Sequence, residues 1–352
     1  MNLEDKMRKY SAPAELSERL NDGNVRCLAC AHKCAIQPGG SGVCKVRFNE
    51  GGTLKVPWGY ISGLGLDPIE KKPFFHALPG ALTFSFGMLG CNFKCSFCQN
   101  YLTSQTFRDP ACLVGDIEPA DPVALAAAAR DAGAAFMVST YNEPLITAEW
   151  SVAVFKEARK FGIRGAYVSN GYASPEVLDY LRPHVGIYKV DLKTFSDENY
   201  LKVAGGKLST VLKAIELIYA KGFWLEIVTL LIPGFNDSSE ELSSLAGFIS
   251  GISKDIPWHV TAFYPTYLMT DRGSTPPETL LMARDIGLKK GLKYIYTGNI
   301  PGQGFEDTRC PSCGKALVTR RGFSILSNTI KVTKKGKGLC SNCSTVIPGI
   351  WA

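Results

Sequence analysis

Phe86-Gly87-Met88-Leu89-Gly90-Cys91-Asn92-Phe93-Lys94-Cys95-Ser96-Phe97-Cys98-Gln99-Asn100 sets three cysteines at C-x3-C-x2-C spacing on a glycine-bearing loop. Three thiolates can hold three irons of a [4Fe–4S] cube and leave the fourth iron open to an exchangeable ligand, as an open position does in a catalytic metal site. A closed zinc or electron-transfer centre needs a fourth ligand. Cys112 is the candidate for it, and otherwise reads as an ordinary thiol.

Outward from that loop, residues 82–297 alternate short apolar or β-branched runs with helical patterns. Strands are expected at 82–86, 135–139, 165–169, 187–190, 225–230, 260–263 and 294–296. Helices are expected at 122–131, 146–161, 175–181, 208–221, 239–252 and 277–287. Six or seven such repeats predict an α/β fold, a partial or complete (β/α) barrel with a parallel sheet and crossover helices. Chemistry in such folds sits at the carboxyl ends of the strands. The polar residues there are Thr140-Tyr141-Asn142-Glu143, Asn170, Asp191 with Lys193, and Asn299, at the mouth onto which the cysteine loop opens. Asp191 and Lys193 share a strand face, because residues i and i+2 point the same way; a solvated ion pair is the plain alternative. Asn170 reads as a substrate contact or as a turn cap with Gly171, and Glu143-Pro144 as a ligand or a helix start. His259, which titrates near neutrality, reads as a ribose or substrate contact or as a satisfied core histidine.

The remaining cysteines flank this stretch. Cys27, Cys30, Cys34 and Cys44 lie within eighteen residues, around His32 and the turn Gly39-Gly40-Ser41-Gly42. Four soft ligands close a site, for zinc or for a second [4Fe–4S] cluster. Cys310-Pro311-Ser312-Cys313 and Cys340-Ser341-Asn342-Cys343, twenty-six residues apart, form the two-knuckle pattern of a zinc ribbon. Ribbons are mostly structural staples for segments too small to fold without metal. The expected modules are an N-terminal Cys-rich metal-binding module at 1–80, the barrel at 81–305 and a zinc-ribbon-like module at 306–352.

Twelve cysteines at ligand spacings, in a 352-residue chain with Glu4, Asp5, Lys6 and Arg8 where an export signal would be apolar, read as metal ligands rather than disulfides. The longest apolar runs, 123–129 and 224–232, fall far short of the roughly 18–20 residues a bilayer crossing needs. A soluble, cytoplasmic protein without a membrane partner is expected. Of the net charge of +7, residues 307–352 supply all, with eight Lys or Arg against one Asp. That basic stretch suggests one non-enzymatic function, a zinc-ribbon nucleic-acid-binding protein; a solvated surface explains it as well, and nucleic acid is not expected as a partner.

On these residues the sequence resembles the radical S-adenosylmethionine (SAM) superfamily, whose C-x3-C-x2-C pattern carries an aromatic residue before the last cysteine, here Phe97. The resemblance implies that Cys91, Cys95 and Cys98 hold a [4Fe–4S] cluster and that the amino and carboxylate groups of SAM chelate its open iron. It implies that Phe97 lies against the adenine, and that reduction yields methionine and a 5′-deoxyadenosyl radical that abstracts hydrogen. Asn142 and Glu143 stand where relatives carry a Gly-Gly-Glu-Pro-like segment gripping the SAM amino group; only Glu143-Pro144 of it is kept. Asp191-Leu192-Lys193 resembles the Asp-x-Lys of activating enzymes of glycyl radical proteins, near the SAM carboxylate and ribose. Ile232-Pro233-Gly234-Phe235-Asn236-Asp237 resembles a loop of the same enzymes. The expected cosubstrate contacts are thus Phe97, Asn142, Glu143, Asn170, Asp191, Lys193 and His259.

Over nearly the whole chain the order of clusters resembles the radical SAM proteins of the AmmeMemoRadiSam system, relatives of pyruvate formate-lyase activating enzyme. The resemblance includes the four N-terminal cysteines with Val46-Arg47, the stretch Leu66-Asp67-Pro68-Ile69-Glu70-Lys71-Lys72-Pro73, the stretch Thr297-Gly298-Asn299-Ile300-Pro301-Gly302, and Pro348-Gly349-Ile350-Trp351. It implies an electron donor such as flavodoxin or ferredoxin, Memo-like and Amme-like partner proteins, and a small molecule or peptide as substrate. Activation of a glycyl radical protein is the second reading. Against it, the extra cysteines precede and follow the barrel, whereas activating enzymes often insert theirs after the first cluster.

Overall fold

The computed structural model describes residues 3–112, 116–300 and 305–352. Pro301 and Gly302 of the 297–302 stretch lie outside the described residues. The chain forms two compact units. The first comprises Met1–Leu66, Thr83–Tyr188 and Val203–Phe223; the second comprises Asp67–Leu82, Lys189–Lys202 and Trp224–Ala352. These boundaries do not coincide with the expected divisions at 80/81 and 305/306.

In the first unit the strands are ordered β1 (Gly63–Pro68, through Leu66), β2 (Leu82–Gly87), β3 (Phe136–Ser139), β4 (Arg164–Ser169) and β5 (Val185–Asp191, through Tyr188). β3 runs parallel to both β2 and β4. All four residues of β3, Phe-Met-Val-Ser, are buried, as expected for a parallel strand covered on both faces. The covering helices are α1 (Pro122–Asp131), α2 (Ala148–Arg159), α3 (Pro175–Leu181) and α4 (Leu208–Ala220). Their starts are written locally. Asp121 accepts from the amides of Val123 and Ala124, and Ser174 accepts from that of Val177, each just before a proline in the first turn. Ahead of β1 lie two small antiparallel sheets, one of Ser17–Arg19, Val25–Cys27 and Ala35–Ile36, the other of Ser11–Pro13, Thr53–Pro57 and Phe48–Glu50.

In the second unit β6 (Trp224–Leu231), β7 (Trp258–Ala262) and β8 (Ile295–Gly298) are parallel neighbours, with α5 (Ser239–Ile252) and α6 (Pro277–Lys289) between them in sequence. Ser238 and Glu241 open α5 with a capping-box pattern, Ser238 Oγ accepting from the Glu241 amide. Two three-stranded antiparallel sheets follow: Thr308–Arg309, Ala316–Arg321 and Ser324–Asn328, then Lys331–Val332, Gly338–Leu339 and Val346–Ile347. Each carries a pair of the terminal cysteines at its turns. No helix among the described residues is long and apolar enough to cross a membrane.

Candidate active site

The loop after β2 is held by its backbone. The Met88 amide donates to Asn142 Oδ1 at 3.1 Å, and the Phe93 amide donates to Cys91 Sγ at 3.3 Å. Gln105 Nε2 and Arg108 Nη1 both donate to the Phe93 carbonyl, at 3.1 and 2.9 Å, while Arg108 Nη2 donates to the Cys91 carbonyl at 2.6 Å and to that of Val43. Cys95 is buried, and Cys91 and Cys98 are half-buried. Burial pushes the Cys91 thiol well above its ordinary range, and the charges of Glu143 and Cys95 push the same way. A bound cation that replaces the proton relieves all three effects, so this donor set fits a metal cluster. Phe97 is buried and directly precedes Cys98 in the chain.

Two further loops join this one. After β3, Tyr141 takes φ +72° and turns Asn142 and Glu143 inward. The Glu143 carboxylate accepts from Ser169 Oγ at 2.7 Å, the Asn170 amide at 2.7 Å and the Leu145 amide at 3.1 Å. After β4, Asn170 Nδ2 donates to Asn92 Oδ1 at 2.7 Å. Asn92 Nδ2 is itself buried and has no hydrogen-bond partner among the described residues. Cys91, Asn92, Asn142, Glu143 and Asn170 therefore belong to one bonded constellation across three strand ends. Glu143 is both a helix start, capping the turn Pro144–Thr147, and the acceptor that ties the loops. Cys112 is buried, its amide donating to the Asp109 carbonyl.

Asp191, Lys193 and His259 lie in the second unit. Asp191 Oδ1 accepts from Lys189 Nζ at 2.5 Å, and Oδ2 lies 3.9 Å from Lys193 Nζ. Burial pushes the carboxyl pKa up, but the two lysines outweigh it and hold it below the ordinary value. His259 is buried with Nε2 2.7 Å from Glu226 Oε2, its ring edge-on to Phe75 and tilted against Tyr296. Glu226, fully buried in β6, also accepts from the Phe75 and His76 amides and from Trp224 Nε1. His76 Nδ1 donates to the Pro348 carbonyl at 2.7 Å, and Nε2 accepts from Tyr296 OH at 2.6 Å. Arg320 closes this network, donating to Thr308 Oγ1 and to the Phe75 carbonyl. His259 is thus buried, with its Nε2 held by Glu226. Glu226 and Arg320 carried no sequence signal of a polar network, since most of their partners, Phe75, His76 and His259 among them, are distant in the chain.

The flanking cysteines differ in geometry. Cys310 and Cys343 Sγ are 3.5 Å apart, Cys313 and Cys340 Sγ are 3.7 Å apart, and all four lie within 4.8 Å of one another. A tetrahedron with Zn–S near 2.3 Å has edges of about 3.8 Å, so the set fits one ion. The two knuckles repeat one backbone pattern: the Gly314 amide donates to the Cys310 carbonyl, and the Ser344 amide to that of Cys340. Hydrogen bonds from Thr345 bring the Cys343 thiol down to about 6, which favours the thiolate a metal requires. In the first unit, Cys27, Cys30 and Cys44 are buried and Cys34 is half-buried. Burial pushes the Cys30 thiol well above its ordinary range, and the neighbouring Cys27 adds to this. Arg47 Nη1 lies 3.6 Å from Cys27 Sγ, while its Nη2 pairs with buried Glu149.

The pattern of the radical SAM superfamily matches residues 87–246. The uncharacterized protein MJ0808 of Methanocaldococcus jannaschii is 35% identical over 325 residues, covering 92% of this chain and 96% of that protein. The pyruvate formate-lyase-activating enzyme of Staphylococcus epidermidis is 22% identical over 229 residues, 60% of this chain and 88% of that enzyme. Among solved structures, a radical SAM methyltransferase from Sphaerobacter thermophilus aligns at 17% identity with TM-score 0.49, over 82% of this chain and 77% of that one. The chain belongs to the radical SAM superfamily, which implies a [4Fe–4S] cluster and SAM. Within it, MJ0808 is alike over nearly its full length, and the activating enzymes are homologues.

Proposed function

We propose that this protein cleaves SAM reductively and uses the resulting 5′-deoxyadenosyl radical to abstract hydrogen from a small molecule or peptide. What supports this is the constellation of Cys91, Asn92, Asn142, Glu143 and Asn170. It ties the loop of three thiols to the ends of three strands, largely through backbone and amide groups rather than the sulfurs. Cys91, Cys95 and Cys98 hold the cluster, which supplies one electron and an open iron for the SAM amino and carboxylate groups. Phe97 packs on adenine. Asn142 and Glu143 shape the backbone that receives the SAM amino group, and Asn170 positions Asn92. Asp191 and Lys193 meet the carboxylate and ribose, and His259 orients Glu226. The strands close as a partial or complete barrel, and the terminal four cysteines bind zinc.

Membership of the AmmeMemoRadiSam group, with Memo-like and Amme-like partners and a flavodoxin- or ferredoxin-type donor, belongs to the same reading. It rests on the order of the three cysteine clusters along the chain. The likeness to pyruvate formate-lyase-activating enzyme favours a second reading, in which the hydrogen is taken from a glycine of a partner protein. The test is anaerobic: reconstitute with iron and sulfide, reduce, add SAM and quantify 5′-deoxyadenosine. Formation above a Cys91→Ala control is expected. No formation from a protein whose cluster is loaded and reduced, with candidate substrates present, overturns the reading.

A further inference from the structure

We infer that Cys27, Cys30, Cys34 and Cys44 bind a second iron–sulfur cluster, set back to back with the loop of Cys91, Cys95 and Cys98. Four thiols gathered in a site where three are buried form a soft donor set that suits a metal centre, which would take the place of their protons. Among the described residues, the C-terminal cysteines are the one group of three or more candidate ligands drawn within 4.8 Å. Neither the N-terminal four nor Cys91, Cys95 and Cys98 is gathered that tightly among the described residues, and a cube sets its thiolates farther apart than one ion does.

Three ties join this site to the catalytic loop, all inside the first unit. His32, between Cys30 and Cys34, has Nε2 3.1 Å from the Asn92 carbonyl and packs against Tyr172. Arg108 binds the carbonyls of Val43 and Cys91 with one nitrogen. Gly90, at φ +88°, lies so near Cys44 that a Cβ there would come within 2.9 Å of the Cys44 carbonyl. Arg47, directed at Cys27, places a buried cation against the thiolates, a common device for tuning a cluster's potential.

The place suggests the role, which rests on the reading of the first cluster given above. Cys27, Cys30, Cys34 and Cys44 would hold a group able to take one electron from a low-potential one-electron carrier protein, oxidising the carrier, and to hand that electron on to the group held by Cys91, Cys95 and Cys98, with no proton moved and no bond changed.

Iron, sulfide and zinc are to be counted per full-length chain after anaerobic reconstitution, with low-temperature EPR after dithionite reduction. The chains compared are wild type, Cys91→Ala/Cys95→Ala/Cys98→Ala and Cys30→Ala/Cys44→Ala. About eight irons are expected in wild type and about four in each variant. An iron-free triple variant holding two zinc ions overturns the inference. A triple variant that keeps all its iron, while Cys30→Ala/Cys44→Ala loses it, overturns the reading of the first cluster and leaves the second standing. Should Cys30→Ala/Cys44→Ala not fold, Arg108→Gln keeps every ligand. A shifted midpoint potential of the first cluster at unchanged iron content is then expected, and an unchanged potential overturns the coupling.

Discussion

The carbonyl oxygen of Cys44 stands 2.9 Å from the point a Cβ on Gly90 would occupy, and Val46 Cγ1 stands 2.7 Å from it. The loop before Cys91 can therefore approach the N-terminal cysteine segment only because residue 90 has no side chain and tolerates φ +88°. Gly90→Ala is expected to displace the loop and lower 5′-deoxyadenosine formation by about 100-fold, the scale of an ångström-level misplacement. Iron content measured beside activity checks it: a fully loaded variant with wild-type turnover would refute the argument.

Glu143 accepts three hydrogen bonds inside the protein. Glu143→Ala leaves buried donors of Ser169, Leu145 and Asn170 unpaired, at about 1–3 kcal/mol for each left unsatisfied. Thermal melting is expected to fall clearly in the alanine variant and less in Glu143→Gln, which keeps one acceptor. Equal melting of the two would show that the carboxylate does not tie the loops.

Arg47 and Glu149 are both fully buried and paired. Removing one partner strands the other charge, so Glu149→Ala is expected to cost about 3–5 kcal/mol in denaturant unfolding. The double variant Arg47→Met/Glu149→Leu should recover much of this; a single variant as stable as wild type would contradict the pairing.

His76 is held neutral. Burial lowers its pKa to about 4 from an ordinary 6.5. The unfolded chain binds this proton more readily, so the stability the group confers is fully present above pH 6.5 and is lost as pH falls towards 4. The loss is about 3 kcal/mol. Melting temperature followed from pH 7 to 4 should drop less steeply in His76→Gln than in wild type.

Cys340 sits buried at one corner of the C-terminal ligand set. Cys340→Ala is expected to release one metal ion per chain and lower the melting temperature, because metal-binding energy in such small elements is folding energy. Unchanged melting would count against a structural metal.

Much of this architecture was legible where it was locally encoded. Helices at 122–131, 175–181 and 239–252 begin on Asp121, Ser174 and Ser238, whose side chains cap them, so their bounds match the expectation. The helix expected from 146 begins instead at Ala148, after a short 3-10 turn set by Pro144. The strand Gly63–Pro68 escaped notice because Gly-Leu-Gly-Leu-Asp-Pro lacks β-branched residues and owes its form to pairing with β2. At the site, cysteine spacing marked the candidate ligands, whereas Arg108 and Asn92 were invisible, since their partners are carbonyls and amides that spacing does not mark. His259 read equally as a ribose or substrate contact and as a satisfied core histidine, because Glu226, which holds its Nε2, lies thirty-three residues away.

His76 and the carbonyl it grips on Pro348 are 272 residues apart, and the Ile350 amide closes on the His76 carbonyl nearby. On a ribosome adding about 5–20 residues per second, His76 emerges roughly 14–54 s before its partner. The second unit thus cannot complete its buried network until Pro348 and Ile350 have emerged, whereas the Arg108 clasp on Cys91 and Val43 is available as soon as residue 108 has. A nascent chain released early would carry the two N-terminal cysteine groups already in reach of each other, beside a half-built sheet exposed to chaperones and proteases.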